Sequence, residues 1–235
     1  MTNDTVVLQT CDGHAYKRML DVTSVHNQKY AQMHGYDYVR FDGIKHGTYS
    51  YPWRATFNRI YMLEEARDQG YKYALYLDAD AVVCQLARNI HDVIQADKLM
   101  TISTDSTLGN MNAGVFVMNL QHPKTDVLLN AWKAMYEVWD SDPEDGTHDP
   151  FRNDQQHLYD IFTRLLRNSQ NTIHFDTKWD LQGTFTKQSL RHVRYPTITR
   201  TYEERICELQ ELIAKANHEY MSSQIYQPQI TYSSI

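Results

Sequence analysis

The sequence predicts one α/β domain with a mostly parallel central sheet and helices on both faces. Segments with strand and helix patterns alternate over the first third of the chain, and the run Tyr73-Ala74-Leu75-Tyr76-Leu77 has no charged residue, as in a strand buried on both faces. A length of 235 residues allows one well-buried core without division. We therefore expect residues 1–235 to form a single domain.

The first half of the chain repeats the order strand, helix, strand. In order, we predict a strand over Val6 to Thr10, a turn at Cys11-Asp12-Gly13, a helix that carries Tyr16 to Tyr30 and ends at Gly35, a strand over Tyr36 to Phe41, a helix over Ala55 to Asp68 that ends at Gly70, and the strand over Tyr73 to Leu77. Glycine suits the two helix ends because it adopts the left-handed conformation common there. This order is typical of a parallel sheet.

The second half continues with helices and strands around one acidic segment. We predict a helix near Asn89 to Gln95, strands over Leu99 to Ser103 and Gly114 to Met118, helices over Thr125 to Trp139 and about Asn153 to Arg167, and a terminal helix over Thr201 to Tyr220. Residues 140–150 form an acidic loop with two prolines. It is either a lid or, as we favour, a solvated connector.

Composition excludes several classes of function. The formal net charge is −6, so the chain has no general basic surface for nucleic-acid phosphates. Cys11, Cys84 and Cys207 are too far apart for a zinc or redox pair and are typical of reduced thiols. The sequence contains no signal-peptide pattern and no apolar run long enough to span a membrane. We expect a cytoplasmic protein whose contact with a membrane, if any, is peripheral.

Asp78-Ala79-Asp80 follows directly on the predicted central strand. Alternate residues of a strand point the same way, so both carboxylates can share one cation. Oxygen ligands suit Mn²⁺ or Mg²⁺, which keep waters and take further ligands from phosphate. The alternative is a solvated turn in which one aspartate caps the next helix. The strand context favours the metal site and a substrate that carries a diphosphate.

Open parallel sheets bind ligands at the carboxyl ends of their strands. The loops after Thr10, Leu77 and Ser103 should therefore lie on one rim, with Asp12 near the two aspartates.

Two further segments are candidates for this rim. Asn112-Ala113-Gly114 can offer amide groups to a polar ligand, or it is an ordinary turn that uses the backbone freedom of glycine. Asn153-Asp154-Gln155-Gln156 opens a predicted helix, where a side chain either caps free amides or faces the ligand.

Several of these segments together resemble a known family. The segment His26 to Asp37, the segment Trp53 to Arg59 and the run Tyr76-Leu77-Asp78-Ala79-Asp80-Ala81 are similar to signature segments of the galactosyl/xylosyltransferase family, which includes fungal α-galactosyltransferases, mannan polymerase subunits and plant xyloglucan xylosyltransferases. Asn112-Ala113-Gly114 and Asp154-Gln155 match its later motifs in the same order. The resemblance covers about residues 6 to 195, and the order of the short motifs is its specific part.

The resemblance implies a single-domain, Rossmann-like nucleotide-diphospho-sugar transferase fold of the GT-A type. Such an enzyme moves a hexose or pentose from a UDP- or GDP-sugar to a glycan or other hydroxyl acceptor, with retention of configuration. Residues 1–110 would then bind the nucleotide, 111–200 the sugar and acceptor, and 201–235 would form a C-terminal helix and tail. The family's anchor and cysteine-containing tail have no counterpart in this sequence, so neither donor nor acceptor identity is carried over.

The site residues expected on this basis form three groups. The metal, Mn²⁺ or Mg²⁺, would bind Asp78, Asp80 and His192; the donor would contact Thr10, Asp12, Arg59, Asp78, Asn112, Ala113, Gly114 and Arg194; and Asp154 and Gln155 would be catalytic.

Three of these expectations leave alternatives open. Arg59 or Arg54 would add positive charge at the diphosphate, or form a surface salt bridge. Asp154 would act either as a nucleophile or as a hydrogen-bond acceptor that orients the two substrates. His192 follows the Asp-Gln motif, as the family's metal histidine does, and Arg194 beside it suits a diphosphate. His174 is the second candidate for the metal.

Two other classes of protein fit some of these residues. In a haloacid dehalogenase-type phosphatase, Asp78 would be the nucleophile beside Mg²⁺, and Thr101-Ile102-Ser103-Thr104 would bind phosphate. That fold opens with its nucleophile strand, whereas two predicted strands precede Asp78 here. A non-catalytic sugar-binding domain would keep the sheet and the tyrosines but has no need for two adjacent aspartates.

Overall fold

The computed structural model of the chain describes residues 3–47, 52–104, 111–140, 154–164, 172–178, 180–189, 192–193 and 198–225, and for residues 139–140, 192–193, 198 and 225 only the backbone. The strands are β1 (Thr5–Cys11), β2 (Asp37–Asp42), β3 (Tyr73–Asp78), β4 (Ala81–Val83), β5 (Met100–Ser103), β6 (Val115–Asn119), β7 (Ile173–Asp176), β8 (Thr186–Gln188), β9 (His192–Val193) and β10 (Ile198–Thr199). The α-helices are α1 (Lys17–Met33), α2 (Asn58–Asp68), α3 (Thr125–Asp140), α4 (Asp154–Arg164) and α5 (Tyr202–Ile225).

The central sheet has six strands in the order β2-β1-β3-β6-β5-β7. The pairs β1–β2, β1–β3 and β5–β7 are parallel, which confirms the mostly parallel sheet, while β6 runs antiparallel to both of its neighbours. Two small antiparallel pairs, β4–β8 and β9–β10, lie outside this sheet. Because β6 is reversed, the residues before it lie on the rim where β3 ends.

Helices cover the sheet on both faces because successive residues of its strands point to opposite sides. Ala74 and Tyr76 of β3 belong to a buried cluster with Ile60 of α2, Trp132 of α3 and Leu158 of α4. The intervening residues Leu75 and Leu77 pack in a second cluster with Tyr30 and Ala31 of α1. Each large apolar side chain buried in this way contributes roughly 1.5 to 3 kcal/mol.

Helix α5 packs against the outer side of α1. Ile206 and Leu209 of α5 share a small buried cluster with Met19 of α1 and Val82 of β4. The C-terminal helix is therefore held beside the segment that follows Asp78.

One predicted helix was wrong. Instead of a helix over Asn89 to Gln95, the structure has a 3₁₀ turn over Ile90–Asp92, closed by reciprocal hydrogen bonds between Asn89 and Asp92. A segment of two turns is too short to be stable as a helix by itself, and burial of Ile90 and Val93, three residues apart, suits a 3₁₀ turn.

Other element boundaries shift, and some segments remain outside the description. The first residues of the predicted helix over Ala55 to Asp68 belong to a 3₁₀ segment, Pro52–Phe57, and α5 extends to Ile225. Most of the acidic segment, 141–150, lies outside the described residues, as do 165–167. Within the described ranges, no helix combines the length and apolar character needed to cross a membrane.

Candidate active site

Strand register brings several predicted site residues to one rim of the sheet. Thr10 of β1 pairs with Asp78 of β3. The reversed strand β6 places Gly114 on the other side, where the Asp78 backbone N–H donates to the Gly114 carbonyl at 2.8 Å. Ser103 ends β5, the strand beyond β6, and so lies farther along the same rim.

The carboxylates of Asp78 and Asp80 converge on one side-chain amide. Gln188 Nε2 donates to Asp78 Oδ2 at 3.1 Å and to Asp80 Oδ1 at 2.7 Å. A Cβ on Gly114 would lie 2.6 Å from Gln188 Oε1 and 2.7 Å from Asp78 Oδ2, so a larger residue here would displace these two side chains. Gly114 is therefore needed for close approach and not for unusual backbone angles.

Arg59 joins the aspartate pair to the start of α4. Its guanidinium, 2% exposed, contacts Asp78 Oδ1 at 2.8 Å through Nη2 and Asp154 Oδ2 at 2.9 Å through Nη1. Nη1 also donates to the Ala113 carbonyl at 2.5 Å, and the guanidinium lies over the Tyr76 ring at 4.5 Å. Because these contacts use the guanidinium within the protein, Arg59 is placed to hold carboxylates in position.

Arg205 of α5 reaches the same site from the other side. Its Nη2 forms a buried ion pair with Asp80 Oδ2, and its Nε donates to the Ser189 carbonyl at 2.9 Å. The guanidinium lies over the rings of Tyr16 and Tyr202, at 5.1 and 6.0 Å from their centroids. Sequence reasoning missed Arg205, because an arginine in a terminal helix 125 residues after Asp80 gives no local signal of this contact.

Gln188 was missed as well, since it lies in a short strand without a recognisable motif. Its Oε1 accepts hydrogen bonds from Gln182 Nε2 at 2.9 Å and from Asn112 Nδ2 at 3.4 Å. These bonds orient the Gln188 amide so that its N–H groups face the aspartates. The signal for Gln188 is purely tertiary, because β8 pairs with β4 directly after Asp80.

The loop before β6 is tied to the start of α4. Gln155 Oε1 accepts from the Ala113 N–H at 3.1 Å, and Asn112 Oδ1 accepts from the Gly114 N–H at 2.7 Å. Asp154 is buried and is held by Arg59 as described above. The two motifs that sequence analysis treated separately thus form one connected group.

Both aspartates have raised pKa values. Burial raises the pKa of Asp78 to about 7, against the influence of Arg59, and the nearby carboxylates of Asp80 and Asp154 add to the rise. The pKa of Asp80 is also raised by burial, although Arg205 opposes this. Asp78, Asp80 and Asp154 thus bring three carboxyl groups to the two guanidinium groups of Arg59 and Arg205. A small divalent cation would favour the ionised forms of the two aspartates, and their converging hard oxygen atoms suit such an ion.

A cavity of about 500 Å³ opens beside the aspartates. Its lining includes Asp78, Asp80 and Arg205 together with the aromatic rings of Tyr16 and Trp53. The volume is in the range of pockets that hold small ligands and cofactors. A lining that combines aromatic rings with charged groups suits a ligand with a flat apolar part and an anionic part.

Thr10 and Asp12 also line this cavity, but their polar atoms are engaged within the protein. Thr10 Oγ1 accepts from Asn58 Nδ2 at 2.9 Å. The Asp12 carboxylate accepts from the backbone N–H groups of His14 and Tyr16, at 3.1 and 3.0 Å, and so caps the turn that leads into α1.

Polar residues of α1 hold the segment after Asp78. Asn27 Nδ2 donates to the Ala81 carbonyl at 2.9 Å, and Asn27 Oδ1 accepts from the Val83 N–H at 3.0 Å. His26 Nε2 lies 2.8 Å from the Val83 carbonyl oxygen. His26 and Asn27 belong to the segment His26 to Asp37 that resembles the family's signature. These two residues hold the backbone directly after Asp80.

The described side chains do not include the third ligand that sequence analysis expected for a metal at the aspartate pair. For His192 only the backbone is described, in β9, and Arg194 lies outside the description. His174 lies on β7, three strands from β3, or about 14 Å at the usual strand spacing. Among the described side chains, no group of three or more histidines, cysteines or carboxylates forms a metal cluster.

No protein-family model matches the sequence, and no curated protein sequence matches it. Among solved structures, the fold is similar to a glycosyltransferase involved in the glycosylation of the major capsid of PBCV-1, with a TM-score of 0.63 and 12% identity over 88% of this chain and 98% of that one. The glycosyltransferase GlyE of Streptococcus pneumoniae TIGR4 gives a TM-score of 0.51 and 13% identity over 94% of this chain and 65% of that one. These likenesses show the expected Rossmann-like GT-A fold.

Proposed function

We propose that the chain is a metal-dependent glycosyltransferase that moves a hexose or pentose from a UDP- or GDP-sugar to a glycan or other hydroxyl acceptor. The observation that carries this proposal is the convergence of Asp78 and Asp80 on one point at the edge of an aromatic cavity. The GT-A fold, which the two solved glycosyltransferases share, supports it.

The reaction breaks the bond between the anomeric carbon and a diphosphate oxygen, which leaves with the electron pair. A divalent cation, Mn²⁺ or Mg²⁺, supplies positive charge that stabilises this leaving group. Asp78 and Asp80 would hold the cation, with His192 as the proposed third protein ligand. The cation would lie between the two carboxylate oxygens that accept hydrogen bonds from Gln188 Nε2.

Asp154 is our candidate catalytic residue, with Gln155 beside it. Retention is compatible with attack by Asp154 on the anomeric carbon, or with direct transfer in which Asp154 orients the donor and the acceptor hydroxyl. In the first route the acceptor oxygen displaces the Asp154 carboxylate from the anomeric carbon, and in the second it displaces the diphosphate. In both routes the proton of the acceptor hydroxyl passes to the departed diphosphate. Arg59 Nη1 lies 2.9 Å from Asp154 Oδ2 and holds this carboxyl group in one orientation.

The remaining donor contacts are proposals that rest on position. Thr10 and Asp12 line the cavity, and Asn112, Ala113 and Gly114 border the aspartates. Arg194 is proposed to contact the diphosphate. Arg59, which we expected to face the diphosphate, is given a positioning role instead, because its donors are directed at Asp78, Asp154 and the Ala113 carbonyl.

In this proposal the chain is one domain: residues 1–110 bind the nucleotide, 111–200 bind the sugar and acceptor, and 201–235 form the C-terminal helix and tail. Arg205 adds one qualification, since the C-terminal helix contributes a residue to the cavity wall.

Thermal unfolding of the full chain with UDP- and GDP-sugars, each with Mn²⁺ or with EDTA, tests the proposal. A ligand that binds the native state raises the melting temperature by mass action. We expect one nucleotide class to raise it only when metal is present, and Asp80→Asn to abolish that rise. Asp21→Asn, which changes an exposed carboxylate on α1, is the control. A sugar donor that binds equally well in EDTA would contradict the metal role.

The two alternative functions predict other outcomes. A phosphatase would hydrolyse para-nitrophenyl phosphate through an aspartyl-phosphate on Asp78. In the segment Thr101 to Thr104 that would bind phosphate, however, Ser103 Oγ donates to Asp176 Oδ2 at 3.2 Å. Another strand, β6, also separates β5 from β3. A sugar-binding domain would bind the sugar without cleaving the donor. Release of nucleoside diphosphate from the donor distinguishes the proposed enzyme from both.

A further inference from the structure

Each aspartate of the pair has one oxygen held by a buried guanidinium. Asp78 Oδ1 contacts Arg59 Nη2 at 2.8 Å and accepts from the Tyr76 hydroxyl at 3.1 Å. Asp80 Oδ2 is paired with Arg205 Nη2. The other two oxygens, Asp78 Oδ2 and Asp80 Oδ1, are the ones that Gln188 Nε2 contacts, at 3.1 and 2.7 Å. The pair therefore presents one oxygen from each carboxylate toward a common point.

Arg205 is held firmly enough to keep Asp80 in this orientation. The Ser189 N–H donates to the Asp80 carbonyl at 2.9 Å, and the Ser189 carbonyl accepts from Arg205 Nε at 2.9 Å. Arg205 Nη1 also lies 3.3 Å from the Tyr16 hydroxyl, and the Arg205 side chain is 2% exposed. Rotation of the Asp80 carboxylate to offer both oxygens would break the ion pair in a place that water hardly reaches.

We propose that Arg205 restricts Asp80 to one metal-ligating oxygen and thereby makes the site select small octahedral cations over Ca²⁺. This inference rests on the proposed function, in which Asp78 and Asp80 bind a divalent cation. Ca²⁺ takes six to eight oxygen ligands and often binds a carboxylate through both oxygens, whereas Mg²⁺ and Mn²⁺ are satisfied by octahedral sites with single oxygens and water. A cation that approached Asp80 Oδ2 would also meet the positive charge of Arg205.

Arg205 is a better test of this idea than Arg59. Arg59 restrains Asp78 in the same way, but it also holds Asp154, so its replacement would disturb a proposed catalytic residue. The side-chain nitrogens of Arg205 contact Asp80, the Ser189 carbonyl and the Tyr16 hydroxyl.

The experiment is a calorimetric titration of the full chain with Mn²⁺ alone and with Ca²⁺ alone, without nucleotide. We expect the wild-type protein to bind Mn²⁺ at least about tenfold more tightly than Ca²⁺, and Arg205→Gln to reduce this ratio by about tenfold, mainly through tighter Ca²⁺ binding. Arg205→Lys keeps a positive charge near Asp80 but loses the guanidinium contacts to Ser189 and Tyr16, so its ratio should lie between those of the wild type and Arg205→Gln. Arg18→Gln, which breaks the exposed Arg18–Glu203 pair between α1 and α5, should change neither affinity.

A second measurement does not depend on the stability of any variant. The separation between the two carboxylate stretching bands in the infrared difference spectrum distinguishes one-oxygen from two-oxygen ligation, and we expect one-oxygen ligation in the wild-type protein with Mn²⁺. Two-oxygen ligation, equal affinity for both metals, or an unchanged ratio in folded Arg205→Gln would overturn the inference. If the wild-type protein binds neither metal, the proposed metal site itself is wrong, which is a separate and recognisable result.

Discussion

Arg59 Nη1 lies 2.9 Å from Asp154 Oδ2, and this buried contact joins α2 to the first residue of α4. Both side chains are nearly inaccessible, at 2% and 9% exposed. From sequence alone Asp154 could have been a simple helix cap, whose replacement by asparagine changes stability little. The ion pair changes that expectation, because a buried charge without its partner is strongly unfavourable.

We expect Asp154→Asn to reduce both sugar transfer and donor hydrolysis at least about a hundredfold, the scale of a lost catalytic group. The free energy of unfolding should fall by about 3 kcal/mol, since Arg59 loses one of its two buried carboxylates. Denaturant unfolding and steady-state rates measure the two effects. The control, Asp126→Asn, removes a 70%-exposed partner of Arg67 between α2 and α3 and should cost less than about 1 kcal/mol. Wild-type turnover in Asp154→Asn would reduce this residue to a structural role.

Gly114→Ala should impair metal binding more than folding. The added Cβ would lie within 2.7 Å of Gln188 Oε1 and Asp78 Oδ2, so these side chains must move apart. We expect at least about a tenfold loss of Mn²⁺ affinity, measured by calorimetry. Gly70→Ala is the matched control: its φ is +90° and nothing lies near its Cβ, so it should lower stability by about 1 kcal/mol and leave metal binding intact. Equal metal affinities in the two variants would contradict the close approach at Gly114.

Asn27→Ala tests the support that α1 gives to the aspartates. Asn27 is fully buried, and its loss leaves the Ala81 carbonyl and the Val83 N–H without this partner. Because a buried polar group without a hydrogen bond costs about 1 to 3 kcal/mol, we expect the free energy of unfolding to fall by about 3 kcal/mol and Mn²⁺ affinity to weaken as well. Asn217→Ala, in the partly exposed outer helix α5, should change both quantities little. A stable Asn27→Ala variant with normal metal affinity would show that α1 does not hold this segment.

The raised pKa of Asp78 predicts how stability depends on pH without metal. Between about pH 4 and about pH 7, the folded chain keeps a proton on Asp78 that the unfolded chain has already lost. This group's contribution to the free energy of unfolding therefore falls as the pH rises through that window. Asp78→Asn lacks the titration, so the stability of the variant relative to wild type should increase from pH 4 to pH 7.

Saturating Mn²⁺ should oppose this trend, because a bound cation favours the charged carboxylate of the wild-type protein. Denaturant midpoints of both proteins, measured in EDTA and in Mn²⁺ across this range, provide the comparison. A relative stability that stays flat or decreases with rising pH in EDTA would show that the pKa of Asp78 is not raised.

Local patterns were enough to place most of the elements. The apolar run that ends at Asp78, the amphipathic residues of 125–139 and the glycines after two helices depend on neighbours within a few residues, and the strands and helices formed close to their predicted positions. The helix expected at Asn89 to Gln95 failed because a segment that short takes its shape from packing and not from its own propensity.

The rim of the sheet was predictable in part. That loops after parallel strands meet at one edge follows from topology, and this brings Thr10 beside Asp78. The reversal of β6 could not be read from its sequence, because a buried apolar strand looks the same in either direction. Yet this reversal places Asn112, Ala113 and Gly114 against the aspartates.

Residue chemistry and spacing along the chain thus pointed to the aspartate pair and the α/β fold class, and the resemblance to known signature segments pointed to Asp154-Gln155. Tertiary structure alone decided that Gln188 spans the two carboxylates and that Arg205, 125 residues after Asp80, holds one of its oxygens. Such contacts leave no local signal, because the free energy of a buried ion pair depends on burial and distance and not on sequence separation. The direction in which each carboxylate faces was therefore set by distant parts of the chain.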